Sequence, residues 1–438
     1  MKFTLLFPKR KNRFFHILCI GLLTAAIASS CSPLNPEDER KDPPPRPPEE
    51  PLTVTVDDVL TLDPATGKLR KGGKDYYGAG VNYYDAFYRV VIDGTHSDVS
   101  YKQGFRILQE KGIPFVRFSV LAFYPNDLRY YVNHESDYFA KLDAFVATAK
   151  EHNVGLIPSF FWNYAAPPDF LGEPVGTWAN LDEPGNKTNA FMEKYVEKMV
   201  KRYGNNPAIW AWEFSNEINL KTDPARRTFE QQPWMYPSVG SGGFPATRTF
   251  VDTLGTDGLV AALAKFQTLV REQEDKLDLP HRAVFSGNGV SGGMSYSRYH
   301  YGTRVPNTKE QYEEMMILKN GNLGTVTIHP YLNHESDFGA SMRDIIAGAK
   351  AKCDQEKRAL FLGEFGVNQA YEGDKEAKWR EYVEAIKEND VQLSALWVFD
   401  TLGRESGYMS DWVVTPTFRS YQLDGIIEIN DYFKDKYK

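Results

Sequence analysis

Eight short apolar runs recur along this chain, and a stretch of helical periodicity lies between each run and the next. The runs are YYGAGVN from Tyr76, FVRFSVLAF from Phe115, VGLIPSFFW from Val154, AIWAWEFSN from Ala208, AVFSGNGV from Ala283, TVTIHPYL from Thr325, ALFLGEFGV from Ala359 and LSALWVFD from Leu393. Each has the length of a buried strand. Between them, Phe139, Leu142, Phe145, Val146 and Ala149 fall on one helical face, and Phe191, Val196, Met199 and Tyr203 do the same before a stop signal at Gly204. Alternation of strand and helix predicts parallel strands. Eight repeats predict an α/β fold of the closed (β/α)8, or TIM barrel, kind. No G-x-G-x-x-G follows the first run, which argues against a dinucleotide-binding sheet. Ahead of the first run, residues 60–75 read as a small N-terminal hairpin turning at Thr66-Gly67.

In such barrels the chemistry gathers at the C-terminal strand ends. The second run carries Arg117 there, the third Trp162 and Asn163, and the fourth Asn216 and Glu217. The sixth carries His329 and Tyr331, the seventh Glu364, and the eighth Trp397 and Asp400. Period-two alternation sharpens the picture. On the fourth run, Ala211, Glu213, Ser215 and Glu217 share a face, predicted to point into the barrel. Trp210, Trp212 and Phe214 share the other, predicted to meet the outer helices. Thr325, Thr327, His329 and Tyr331 likewise share a face, as do Leu360, Leu362 and Glu364. Glu213 inside the barrel needs a cation, and Arg117 is the expected partner.

Two carboxyls converging from the fourth and seventh strands are the minimal equipment for cleaving a glycosidic bond. One donates a proton to the departing oxygen, and the other attacks the anomeric carbon. Strands four and seven face each other across a barrel mouth, which suits the roughly 5–5.5 Å separation of retaining enzymes. WEFSNEINL and FLGEFGV also resemble the strand-four and strand-seven signatures of clan A glycoside hydrolases, family 5 in particular, a retaining (β/α)8 group that includes cellulases and mannanases. The resemblance covers roughly residues 52–438. It implies Glu217 as acid/base, Glu364 as nucleophile, Arg117 orienting the nucleophile and Asn216 bonding the sugar 2-hydroxyl. It further implies His329 and Tyr331 supporting the carboxylates and Trp397 as a stacking platform. Trp162 and Asn163 are expected to line the substrate site. Two positions depart from the family pattern: Ile218 follows Asn216-Glu217 where Pro is frequent, and the third run ends without a His. The implied activity is hydrolysis of a β-linked oligo- or polysaccharide by double displacement, with an endo-acting β-mannanase or β-glucanase foremost and no cofactor or metal required. A non-catalytic glycan-binding protein on a hydrolase-like barrel is the alternative.

The start of the chain has a different grammar. Residues 1–30 hold a basic segment, an apolar stretch from Ile17 to Ile27 and the small residues Ala28-Ser29-Ser30, directly before Cys31. This reads as a lipoprotein signal peptide with Cys31 as the lipidated residue. Residues 31–51 form a linker with eight prolines and many charges, too polar to build a core. A bacterial, extracytoplasmic protein anchored through lipid to a membrane, the outer membrane or cell surface foremost, is therefore expected, with residues 52–438 as its catalytic domain. With Cys19 removed and Cys31 lipidated, Cys353 stands alone and no disulfide forms within the chain. A formal charge of −7 over 438 residues argues against nucleic acid as partner. A monomer is expected. Trp178, Trp234 and Tyr236 sit in long loops and are candidates for further sugar subsites. The motif NHESD occurs twice, at Asn133–Asp137 and Asn333–Asp337, and reads as a helix start with Ser or Asn capping and acids in the first turn.

Overall fold

The computed structural model describes residues 53–224, 240–402 and 408–438. The predicted leader, Cys31 and the proline-rich linker lie outside the described residues, as do Trp234 and Tyr236. A small antiparallel sheet comes first, formed by β1 (Thr61–Asp63), β2 (Lys68–Lys71) and β3 (Lys74–Asp75). The expected two-armed hairpin is thus three strands. Gly67 makes the first turn at φ +71°, where a side chain would run into the Lys357 backbone, and Gly72-Gly73 make the second. Leu60 and Leu69 from this segment join Phe115, Ile157, Phe285 and Phe361 in one buried cluster, so the small sheet closes one end of the barrel.

The barrel strands are β4 (Gly78–Asn82), β5 (Phe115–Ser119), β6 (Gly155–Phe161), β7 (Trp212–Ser215), β8 (Val284–Phe285), β9 (Thr325–Ile328), β10 (Ala359–Phe365) and β11 (Leu393–Leu396). Their order is β8-β7-β6-β5-β4-β11-β10-β9, and every pair is parallel. The sheet nearly closes between β8 and β9. The Thr325 hydroxyl donates to the Val284 carbonyl at 2.6 Å, and Asn320 accepts from both Ser286 and the Thr327 N–H. Side chains stitch this seam where a backbone ladder does not.

One long helix follows each strand in turn: α1 (Tyr101–Glu110), α2 (Glu135–Glu151), α3 (Lys187–Tyr203), α4 (Thr256–Lys276), α5 (Lys309–Lys319), α6 (Met342–Gln355), α7 (Lys375–Glu388) and α8 (Ser420–Lys436). Polar caps start several of them. Asn186 accepts from the Asn189 N–H, Asp374 from the Glu376 and Ala377 N–H groups, and Thr308 with Gln311 forms a capping box. The NHESD segments are not capped this way. Neither has a side-chain cap bond, although Glu135, Asp137 and Glu335 do sit in first turns. Among the described residues no helix is long and apolar enough to cross a membrane.

Two orientations differ from the alternation read off the sequence, and one loop residue differs from its expected place. Trp210 packs edge-on to Tyr76 at 5.5 Å with the Lys71 ammonium over its ring, against the end cluster. It precedes β7, so strand alternation does not govern it; Trp212 and Phe214, which are in the strand, do face α4 through Phe266 and Glu274. On β10, Leu360 and Leu362 point to the helix layer and Phe361 into the barrel. A register irregularity between Leu362 and Phe365 then lets Gly363 and Glu364 both face inward. Glu364 reaches the barrel interior because of this bulge, not by sharing a face with Leu360 and Leu362. Finally, Trp178 is fully buried, its Nε1 donating to the Tyr164 carbonyl at 2.7 Å. It is a core residue and lines no subsite.

Candidate active site

Arg117 stands at the centre of the mouth, entirely buried on β5. Its Nε donates to both Glu213 oxygens, at 2.8 and 2.9 Å. Its Nη1 donates to Glu364 Oε1 at 2.8 Å and Asn82 Oδ1 at 2.9 Å, and its Nη2 to Asn216 Oδ1 at 2.7 Å. The Trp162 ring covers the guanidinium face, 4.4 Å from Cζ. Burial works against the charge, but Glu213 and Glu364 together overcome it and hold Arg117 protonated. The expected Arg117–Glu213 pair is present. One fixed cation therefore aligns side chains from β4, β7 and β10 at once. A lysine could not reach this set, because only a planar fork presents several donors in fixed directions.

Glu364 is buried and doubly held. Arg117 takes Oε1, and the Tyr331 hydroxyl donates to Oε2 at 2.6 Å. Glu217 lies one residue beyond Asn216, outside the strand, with its backbone in the left-handed region at φ +52°. That turn, held by the Glu217 N–H donating to the Gly287 carbonyl at 2.8 Å, aims the carboxyl into the mouth. Its side chain keeps 32% of its exposure, and Oε1 sits 3.0 Å from His329 Nδ1. One oxygen of each carboxyl and an imidazole nitrogen all fall within 4.8 Å of one another.

The charge states follow from these contacts. Burial pushes both carboxyls up. At Glu364 the nearby Glu217 carboxylate adds to the lift, while Arg117 and the Tyr331 hydroxyl oppose it. At Glu217 it is opposed by the fields of Arg117, His334 and Lys221. By geometry Glu364 has the fuller set of contacts for an anion, since both its oxygens accept, from Arg117 and from Tyr331. Burial is the larger cause of the lift on Glu217, and the two carboxyls also repel one another. Burial also pulls the His329 imidazolium down to about 3, so the ring is neutral. His329 Nε2 faces Gly363 and has no hydrogen-bond partner among the described residues. The single ring proton therefore belongs on Nδ1, which donates to Glu217 Oε1. That leaves Glu217 Oε2 to carry the acidic proton.

Glu217, His329 and Glu364 also offer the number of donors found in metal sites. Both Glu364 oxygens, however, already accept from Arg117 and Tyr331, and the Arg117 charge would repel a cation at Oε1.

Aromatic rings wall the mouth. Trp397 stacks on Tyr84 at 5.3 Å and faces Trp162 at 6.1 Å, while Tyr331 meets Trp412 at 5.0 Å. The Trp397–Val398 peptide is cis. Phe123, Trp162, Asn163, Asn216, Glu217 and Lys221 line an open depression of about 210 Å3 beside the acid. A larger hollow of about 510 Å3 lies between Arg89, Gln103 and Phe399 and contains neither carboxyl. All nine residues expected at the site, from Arg117 to Trp397, come together here. Sequence reasoning missed Asn82, Tyr84, Trp412 and His334, whose Nδ1 accepts from the Tyr331 N–H at 3.0 Å. Asn82 ends the first run and alternates with Gly80, a usable signal. Trp412 sits in a loop with none.

Comparison with known proteins bears on the family and the fold. The family model described as Cellulase (glycosyl hydrolase family 5) matches residues 77–401. A probable mannan endo-1,4-beta-mannosidase A of Aspergillus oryzae is 29% identical over 165 residues, covering 33% of this chain and 40% of that protein. The mannan endo-1,4-beta-mannosidase A of Hypocrea jecorina is 34% identical over 94 residues, 20% of each. The chain thus spans well under half the length of these curated relatives. The crystal structure of the endo-1,4-beta-mannanase from Rhizomucor miehei superposes with a TM-score of 0.58 at 16% identity, covering 86% of this chain and 99% of that one. It carries the fold alone.

Proposed function

The chain belongs to glycosyl hydrolase family 5, and from that premise we propose that it hydrolyses β-linked glycans with retention of anomeric configuration, β-1,4-mannan being the foremost substrate. The observation that carries this reading is the carboxyl pair, with oxygens within 4.8 Å, one held by Arg117 and Tyr331 and the other by a neutral imidazole. A short gap leaves no room for a water between the sugar and the second carboxyl, so that carboxyl attacks directly.

Glu364 attacks the anomeric carbon as Glu217 gives its proton to the leaving oxygen. The glycosidic C–O bond breaks and a glycosyl–Glu364 ester forms. Glu217, now ionised, takes a proton from water, and the resulting hydroxide oxygen bonds to the anomeric carbon and releases Glu364. Arg117 keeps Glu364 ionised and aimed. It also occupies Asn216 Oδ1, which turns that amide's nitrogen into the donor for a sugar hydroxyl. Trp397 supplies a flat apolar face for the ring at the cleavage point. Internal cleavage is the reading favoured by the names of the mannan endo-1,4-beta-mannosidase relatives.

The test is product analysis on β-1,4-mannan, β-1,4-glucan and mixed-linkage glucan, with proton NMR of the first-formed anomer. Manno-oligosaccharides released as the β anomer support the proposal. Binding without product formation on any glycan would sink it. We also propose anchoring through an acylated Cys31, supported by the small residues before it and the proline-rich, charged sequence after it. Cys31→Ala should move the protein from the membrane fraction to the soluble one. We propose a monomer as well, which sedimentation checks.

A further inference from the structure

Lys319 ends α5 with 2% of its surface exposed, and the chemistry above gives it no part. A buried ammonium is costly unless its donors are used. Its Nζ donates to Thr222 Oγ1 at 2.8 Å and to the Asn219 carbonyl at 3.4 Å, with the Asp223 carboxylate 4.0 Å away. Asn219 and Thr222 belong to the turn that begins at Glu217.

That turn is tied to the loop after β8 as well. Asn219 Nδ2 donates to the Gly289 carbonyl at 2.8 Å, and its Oδ1 accepts from the Gly289 N–H at 2.9 Å. The Lys319 carbonyl accepts from Asn288 Nδ2 at 2.8 Å. Gly289 in turn lies against the acid: a Cβ there would stand 3.1 Å from Glu217 Oε1. Lys319 thus grips the β7 turn with its ammonium and the β8 loop with its carbonyl, and Glu217 lies where the two meet.

We propose that Lys319 is a positioning residue for the acid/base, clamping the Ile218–Lys221 turn so that the Glu217 carboxyl stands where it can reach the leaving oxygen. The proposal rests on Glu217 being the proton donor. Burial pulls the ammonium down to about 8, with Asp223 pulling it up and Arg298 adding to the drop. It remains mostly charged at neutral pH, and its bonds to the turn are charge-assisted. A methionine would fill the same volume and donate nothing.

The experiment compares two leaving groups. A 2,4-dinitrophenyl glycoside of the sugar that the wild type accepts departs without a proton; an oligosaccharide does not. Lys319→Met should lower kcat/KM on the oligosaccharide at least ~10-fold, since small misplacements of a catalytic group are severe. On the dinitrophenyl glycoside the loss should stay under ~2-fold, because kcat/KM there reports only the proton-free first step. Thr222→Val, which removes the 2.8 Å acceptor and keeps the lysine, should show the same split if Lys319→Met does not fold, and Thr222→Ser should restore the wild-type ratio. Equal losses on both substrates, or no loss, would overturn the proposal and leave Lys319 a structural residue. A wild type inactive on every glycoside would instead refute the hydrolase reading, and Glu217→Ala with no leaving-group dependence would refute its acid/base role.

Discussion

Replacing Arg117 with methionine removes the buried cation at the centre of the mouth. It deletes hydrogen bonds to Glu213, Glu364, Asn82 and Asn216 together, and leaves two buried carboxyls without a counter-charge. Breaking a buried pair by removing one partner costs about 3–5 kcal/mol. The deficit should depend on pH. Burial already raises Glu364 above the ordinary value, and loss of an adjacent cation raises it further, by roughly 1–3 pH units. A carboxyl raised in the folded state contributes stability that is full below its unfolded value of about 4.3 and is lost as pH climbs through the folded one. Glu364 alone then adds up to ~1.4 kcal/mol of deficit per pH unit across that window. Urea unfolding of wild type and Arg117→Met at pH 4.5 and 7.5 reads this directly, with the larger deficit at pH 7.5. The acidic limb of kcat/KM should move up by the same ~1–3 units, because the nucleophile must ionise. A variant of wild-type stability at both pH values, or an acidic limb that stays in place, would refute the assignment of Arg117 as the charge that holds Glu364 ionised.

Other expectations bear on neighbouring parts of the site. Glu217→Gln and Glu364→Gln should each lose at least ~100-fold in turnover while still binding oligosaccharide, measured by steady-state kinetics and calorimetry. Wild-type kcat/KM should be bell-shaped with both limbs above the ordinary carboxylate range, since burial raises Glu364 and Glu217 alike; an acidic limb near 4 would count against it. Gly363→Ala would place a Cβ 2.7 Å from His329 Nε2 and 2.8 Å from Thr327 Cγ2, so it should cost about 1–3 kcal/mol in unfolding free energy and depress turnover by displacing the ring that contacts Glu217.

Much of this protein is written locally. Eight apolar runs separated by amphipathic stretches specify eight strands and eight helices, because periodicity is a property of neighbouring residues and needs no tertiary information. A parallel barrel places chemistry at strand ends, so Arg117, Asn216, His329, Tyr331 and Trp397 could be named from their positions alone. What remained belongs to contacts between segments distant in sequence. Alternation would have turned Glu364 outward with Leu360 and Leu362. The bulge at Gly363 brings it in, and it exists because two inward residues pack there against His329 and Arg117. Glu217 reaches the mouth through a left-handed turn held by the β8 loop, not by the period of its strand. The third strand of the small sheet, the seam stitched by Asn320, the Trp412 wall and the Lys319 clamp leave no local pattern, since each joins residues that only the closed barrel brings together. The sequence alone determined the strand-end residues that reach the mouth of the barrel, though not Tyr84, Trp412 or His334 beside them. How they face one another, and which hydrogen bonds hold each carboxyl, was decided by the tertiary structure, because burial and hydrogen bonding between distant segments do not exist before the chain folds.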